Sequence, residues 1–484
     1  MKRLVQVALA MGTFSVVNVV IGFVRSKYSA LALGPDGVGF LSQASGFLLL
    51  AITVCTINSG TGIVKRLAEA LDAHDRPRAL SLVHTMFGVL CLAGGGAGLV
   101  LAAWAAPAAR LLFGDARYAV PLLGVAAATP LDVLAAGLFQ PIILGCDRYD
   151  LYTRASIVAT VLAVVPFLVL TWQWGLPGAM VSIGAGAAVR FVVFFAYSRR
   201  ALEWRPRLSV SAAALRSVIG YGAAMLLVAA LLEATAVVIR TTILRRLGPG
   251  ANGVFQVPVA LSSYYSVFFT NALWGHFYPR TSRSVSPEER RSEVEAALRF
   301  VTLGFTLMAA VLLAVKAPLI VALYSSQFGA AAPLLLPYVV GDLLFLLAMV
   351  YTVSLLSLPR LGFYVVAWVG FCAVRAALSL AAIVTWGLVG AAAAYLAASA
   401  VILLACAAYH ATRLSLRPSR GMLRLLVGAV GVLVLPSALP ATELVRGIAQ
   451  LLLAGTWLLL TVTREERAMM TAFIARRLGW QAAS

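Results

Sequence analysis

Residues 21–43 read IGFVRSKYSALALGPDGVGFLSQ. An apolar helix carries Arg25 and Lys27, then closes on Leu33-Gly34-Pro35, and a second apolar run begins near Gly39. Glycine releases the backbone at such a stop, and the proline ring cannot continue the preceding hydrogen-bond ladder. The chain then repeats itself. Arg240 is followed by Leu247-Gly248-Pro249 and by Gly253-Val254-Phe255-Gln256, with the same spacing from Gly248 to Gly253 as from Gly34 to Gly39. Two halves, each opening on a cationic first helix and a Gly-Pro turn, are the plan of the chain.

Composition says what these halves are made of. Of 484 residues, 62% are hydrophobic and 12% charged, against roughly half and a quarter in soluble domains. Apolar runs recur end to end, each long enough to cross about 30 Å of hydrocarbon. The pattern predicts an all-α polytopic membrane protein of about fourteen spans, from 4–32 to 444–463. The thirteenth, at 423–440, is short and holds Pro436 and Pro440. Met1-Lys2-Arg3 before an apolar run imitates a signal peptide, but the run is long and lacks a small-residue cleavage site, so it reads as an uncleaved first span.

The net charge of +20 is not a nucleic-acid footprint, because the basic residues sit in short segments between spans. With both termini cytoplasmic, the inner segments hold a roughly threefold excess of Lys and Arg over the outer ones. The longest loops, 65–80, 199–214 and 277–296, then face the cytoplasm. The outer loops leave no room for a catalytic domain. Residues 464–484 read as a basic amphipathic tail on the inner surface, or as a plain tail helix. The five cysteines lie in or beside apolar runs without metal spacing or a paired framework, and are expected to be packing residues.

The repeat extends further. Trp174-Gly175-Leu176 is echoed by Trp386-Gly387-Leu388, and Asp132 in the fourth span by Asp342 in the tenth. Six spans per half give a parallel repeat. The expected organisation is two pseudo-symmetric six-helix lobes, 1–200 and 201–412, followed by two extra spans in 413–463. Transporters place a midplane cavity between such halves.

Ionisable groups at membrane depth cost a few kcal/mol and mark function. The candidates are Arg25, Lys27, Asp132, Glu233, Arg240 and Asp342. Arg25 and Arg240 hold equivalent places in the two halves and are expected to face one cavity, where a planar guanidinium suits a diphosphate. The competing reading for these cations is snorkelling to an interface. Asp342 is expected to pair with a cavity arginine or to carry a coupling proton, and Glu233 shares a helix face with Arg240. For the three acids the competing reading is a structural pair between helices. Arg190 and Arg375 are expected to snorkel toward the inner side. No His and Cys pair has ligand spacing and no Gly-rich phosphate loop exists, so neither a metal nor a cofactor is expected.

With these residues in view, the chain resembles the polysaccharide-biosynthesis branch of the multidrug/oligosaccharidyl-lipid/polysaccharide flippase superfamily. That branch includes O-antigen and lipid III flippases. Three passages carry the likeness: Ile21–Gly39 with Arg25 and LGPxGVG; Asn58–Glu69, similar to GxxNGxVKYxAEY; and Asn252–Ser282, similar to a run ending YLPRLS. Phe255 stands where that pattern has Trp, and Thr281 where it has Leu. The resemblance implies two six-helix lobes working by alternating access. It implies movement of an undecaprenyl-diphosphate-linked oligosaccharide to the periplasmic leaflet, and cavity arginines at Arg25 and Arg240. The two extra spans are similar in topology to those of lipid II flippases.

The expectation is therefore a monomeric, non-enzymatic flippase of the bacterial inner membrane. Its partners are the lipid-linked glycan and the bilayer, with a glycan polymerase or glycosyltransferases as candidate protein partners and no nucleic acid. Alternatives are a cation-coupled multidrug exporter of the same superfamily, a membrane-embedded glycan polymerase or ligase, and a non-transporting scaffold.

Overall fold

The computed structural model describes residues 2–57, 59–209, 211, 223–284, 286–358, 361–414, 416 and 418–463, without the side chains of 2–16, 223 and 361. The expected amphipathic tail, 464–484, lies outside them, as do Asn58 and 212–222 at the start of the seventh span. Among the described residues there are helices and no strand, as a bilayer requires of any backbone that must satisfy its own polar groups.

Among the described residues ten helices are long and apolar enough to cross a membrane. Three of them are each two spans joined at a glycine with positive φ: Gly34 in Lys2–Thr56, Gly175 in Tyr149–Leu202 and Gly387 in Leu361–Arg413. The helix Pro249–Ala272, extended to Arg283 through a wider turn, supplies one more. The total is the fourteen that the apolar pattern predicted. The outward side chains are apolar, with Leu99 and Leu460 exposing 74% and 81% of their surface, the reverse of a soluble helix.

Backbone conformation repeats with the sequence. Gly175 has φ 57° and ψ −132°, and Gly387 has φ 57° and ψ −136°. A side chain at either would be strained there. After the third span Trp104 stops the helix at φ −101°, ψ 18°, and after the ninth Val315 does so at φ −109°, ψ 18°. Each stop is followed by a short helix and a 3₁₀ turn, Ala105–Phe113 with Ala116–Tyr118 and Lys316–Leu323 with Ser326–Ala331. Trp104, Trp172, Trp174 and Trp386 expose more than half of their surface beside such turns, as tryptophans at a membrane–water boundary do.

Two of the expected long loops are mostly helical. Ser59–Asp72 continues to within three residues of Arg76–Ala103, whose first turn is capped by Asp75 accepting from the Arg78 amide at 3.0 Å. Tyr278–Arg283 leads to Pro287–Ala314, which opens on a capping box between Ser286 and Glu289. These caps keep helices running past the apolar stretch, where hydropathy alone reads a loop.

The chain packs as two compact units. One comprises Met1–Leu261, Ile320–Ala331 and Leu361–Ala394, and the other Ser262–Leu319, Ala332–Arg360 and Tyr395–Ser484. In the first unit the two Gly-Pro segments meet reciprocally. A Cβ on Gly39 would stand 1.9 Å from the Pro249 carbonyl oxygen, and one on Gly253 would stand 2.0 Å from that of Pro35. The Asn252 side chain donates to the Gly39 carbonyl at 2.8 Å and to Ser42 Oγ at 3.3 Å. The opening motif is thus a helix-crossing contact in which only hydrogen fits, the membrane counterpart of small-residue packing. In the second unit Phe269 and Phe305 pack together, and the last two spans lie against Pro287–Ala314. There Gly447 abuts the Ala314 carbonyl and Arg299 donates to the Thr461 carbonyl at 2.6 Å.

Candidate functional site

The first unit holds two adjoining cavities. The smaller, about 300 Å³, is lined by Arg25, Ser26, Ser29, Ser42, Ser45, Gly46, Arg240, Gln256 and Tyr324, among others. The larger, about 560 Å³, is lined by Asn18, Arg25, Asp132, Gln140, Thr160, Phe167, Ser182 and Arg190 within a small aliphatic wall. Arg25, Ser45 and Leu49 line both, so the spaces meet at Arg25.

Arg25 is held by its own helix and a neighbour. Its guanidinium carbon sits 4.6 Å from the centroid of the Phe167 ring, a cation–π contact that orients the group. Arg240 reaches the same small cavity from the seventh span. Its guanidinium lies so close to Gly46 that a Cβ there would stand 2.3 Å from Nη1. Gly46 is therefore the seat of Arg240. Behind it Gln43, fully buried, donates to Thr241 Oγ1 at 2.7 Å. Among the described residues, two arginines and no carboxylate line this cavity.

The larger cavity is charged differently. Arg190 grips Asp132 with two parallel bonds, Nε to Oδ1 at 2.7 Å and Nη2 to Oδ2 at 2.6 Å. The Asp132 side chain is 7% exposed and that of Arg190 33%. Arg190 does not snorkel away. Its nearest counter-charge is Asp132 on the fourth span, and a fork to a buried carboxylate outcompetes a reach for the interface.

The other candidates do not line these cavities. Lys27 donates to the Val321 carbonyl at 2.9 Å. Glu233 is partly buried, within the fields of Arg240 and Arg375, and lines neither cavity. Arg375 lies over Phe371 at 6.0 Å. Asp342 is in the second unit, 2% exposed, with the Tyr395 hydroxyl donating to Oδ1 at 2.7 Å and the Tyr265 hydroxyl to Oδ2. Gly341 makes room for that arrangement, since a Cβ there would meet the Tyr395 ring at 2.9 Å. Among the described residues no group of three His, Cys, Asp or Glu is placed to hold a metal ion.

Sequence reasoning thus named Arg25, Arg240 and Asp132, which share the joined cavities. It missed Asn18, Gln140, Thr160 and Phe167, which are unremarkable as residue types. It misread Arg190, although an unpaired aspartate and an unpaired arginine two spans apart were a usable signal.

Comparison with known proteins places this geometry. Among curated protein sequences none matches the chain. Solved structures share its fold at low identity. An inward-facing multidrug resistance MATE family transporter of the MOP superfamily superposes with a TM-score of 0.69 at 13% identity, over 83% of this chain and 98% of that one. The lipid II flippase MurJ in an inward closed conformation gives 0.68 at 13%, over 98% of this chain and 99% of that one. A MOP superfamily transporter from Pyrococcus furiosus, described as having a binding pocket of reverse polarity, gives 0.57 at 12%, over 84% and 95%. Residues 4–285 match the family described as polysaccharide biosynthesis protein. That match spans more than half of the chain, which therefore belongs to the polysaccharide biosynthesis protein family and has the fold of these MOP superfamily structures.

Proposed function

We propose that this protein flips an undecaprenyl-diphosphate-linked oligosaccharide from the cytoplasmic to the periplasmic leaflet by alternating access. The diphosphate binds between Arg25 and Arg240, and the polyprenyl tail stays in lipid. One observation carries the reading: Arg25 and Arg240, which hold equivalent places in the sequence repeat, line one cavity to which no carboxylate contributes among the described residues. A diphosphate leaving water needs compensating charge at membrane depth, and guanidinium forks supply it with two parallel bonds each. In this cycle the reciprocal contact of Gly39 with Pro249 and of Gly253 with Pro35 serves as the closure at one end of the path, and its parting releases the head group. The basic bias of the inner segments orients both termini to the cytoplasm.

A cation-coupled drug exporter needs an electronegative cavity. Here the acid in the larger cavity, Asp132, is already neutralised by Arg190. The test is flipping of a polyprenyl-diphosphate glycan by the full-length protein in proteoliposomes. Losing one charge-assisted fork costs about 2–3 kcal/mol, so Arg25→Ala or Arg240→Ala is expected to slow flipping roughly 30- to 150-fold. Wild-type rates in both variants would refute the reading.

A further inference from the structure

The diphosphate reading uses one end of the joined cavities and leaves the larger space unexplained. That space, about 560 Å³, lies within the roughly 300–1,000 Å³ of small-molecule sites. Its wall combines amides (Asn18, Gln140), hydroxyls (Thr160, Ser182) and the Asp132–Arg190 pair. Alanines and glycines fill the rest, including Ala136, Ala159, Ala163 and Gly186, and their short side chains leave the volume open. We infer that this wall is a saccharide site, holding the uncharged sugar unit joined to the diphosphate. Arg190 is its central donor and Asp132 the residue that positions Arg190. The inference rests on the flippase reading and adds to it a specificity element.

Charge decides between a neutral and an acidic sugar. The Asp132 carboxylate spends both oxygens on Arg190 at 2.6 and 2.7 Å, so the pair contributes no net charge to the wall. Among the described residues, Arg25 is the other cation lining this cavity, and it lines the diphosphate pocket as well. A carboxylated sugar would find no uncompensated cation of its own here, whereas a polyol finds donors and acceptors at fixed positions. The fork uses Nε and Nη2. Among the described residues, Nη1 of Arg190 has no partner, and it stands 3.4 Å from where a Cβ on Gly186 would be. A guanidinium locked on one edge and available on the other is a pre-organised donor whose rotamer freedom is already lost. Thr160 donates to Asn18 Oδ1 at 3.3 Å, which orients that amide in the same wall. The junction at Arg25 mirrors the ligand, whose first sugar is covalently continuous with its phosphates.

The experiment measures binding of two lipids to the full-length protein in nanodiscs: polyprenyl diphosphate, and the same lipid bearing a neutral disaccharide. Wild type is expected to prefer the glycosylated lipid by about tenfold, the scale set by a few well-placed hydrogen bonds. Arg190→Gln should abolish that preference, and because it leaves Asp132 charged beside the diphosphate pocket, unchanged polyprenyl diphosphate binding is expected of the double variant with Asp132→Asn. Arg190→Lys should not restore it, because an ammonium cannot form the fork. Asp132→Asn should exchange the preference for one toward a lipid bearing an acidic disaccharide, since Arg190 is then uncompensated. A merely structural role would not produce that change of sign. The double variant Asp132→Asn with Arg190→Gln keeps a neutral, hydrogen-bonded pair and carries the same measurement if a single variant fails to fold. Equal loss for both lipids in folded variants, no change in either, or a wild-type preference for the acidic glycan would overturn the saccharide site. Failure of wild type to bind either lipid would instead overturn the flippase reading.

Discussion

Two aspartates occupy matching places in the repeat, and the chain treats them differently. Asp132 on the fourth span is answered by a guanidinium on the sixth, at the edge of a cavity. Asp342 on the tenth span is answered by the hydroxyls of Tyr395 on the twelfth and Tyr265 on the eighth, 2% exposed. In the first case charge meets charge where a ligand or water can enter. In the second, neutral donors reach both carboxylate oxygens of a buried side chain, and Tyr338 packs tilted against Tyr395 with ring centroids 4.6 Å apart. The same acid stands in the fourth and the tenth span, and its surroundings give one an arginine partner and the other two tyrosine hydroxyls.

That contrast is open to measurement by unfolding in detergent. The largest effect is expected for Asp342→Ala, which leaves two tyrosine hydroxyls without their acceptor in a sealed interior; each orphaned group costs about 1–3 kcal/mol, so the total is about 3–5 kcal/mol. Arg190→Leu should cost less, about 2–3 kcal/mol. Breaking a fully buried pair costs about 3–5 kcal/mol, but the Arg190 side chain is 33% exposed to its cavity, so the abandoned carboxylate is partly hydrated. A cost for Arg190→Leu above that for Asp342→Ala would break the comparison. The smallest effect belongs to Tyr395→Phe, about 1 kcal/mol, because Tyr265 still holds the carboxylate. If Tyr395→Phe matched Asp342→Ala, the fastening would rest on one tyrosine alone.

Much of this was legible beforehand because it is local. Span number follows from hydropathy, and the Gly34 and Gly248 breaks follow from Gly-Pro chemistry. The equivalence of Arg25 and Arg240 followed from spacing, and the two line one cavity. The loops at 65–80 and 277–296 were misjudged because capped helices outrun the apolar stretch. The role of Gly46 was invisible, since nothing near it in the chain announces that Arg240 rests there.

By itself, then, the sequence determined the membrane class, the fourteen apolar segments, the repeated Gly-Pro and Trp-Gly-Leu motifs and the matching spacing of Arg25 and Arg240, because each is written in residues close along the chain. The tertiary structure alone decided that Arg190 turns to Asp132, that Gly39 and Gly253 press against each other's prolines, and that Asp342 is held by tyrosines. Those outcomes depend on which helix faces lie side by side. In a bilayer every outward face is equally apolar, so the one-dimensional pattern carries little information about lateral neighbours.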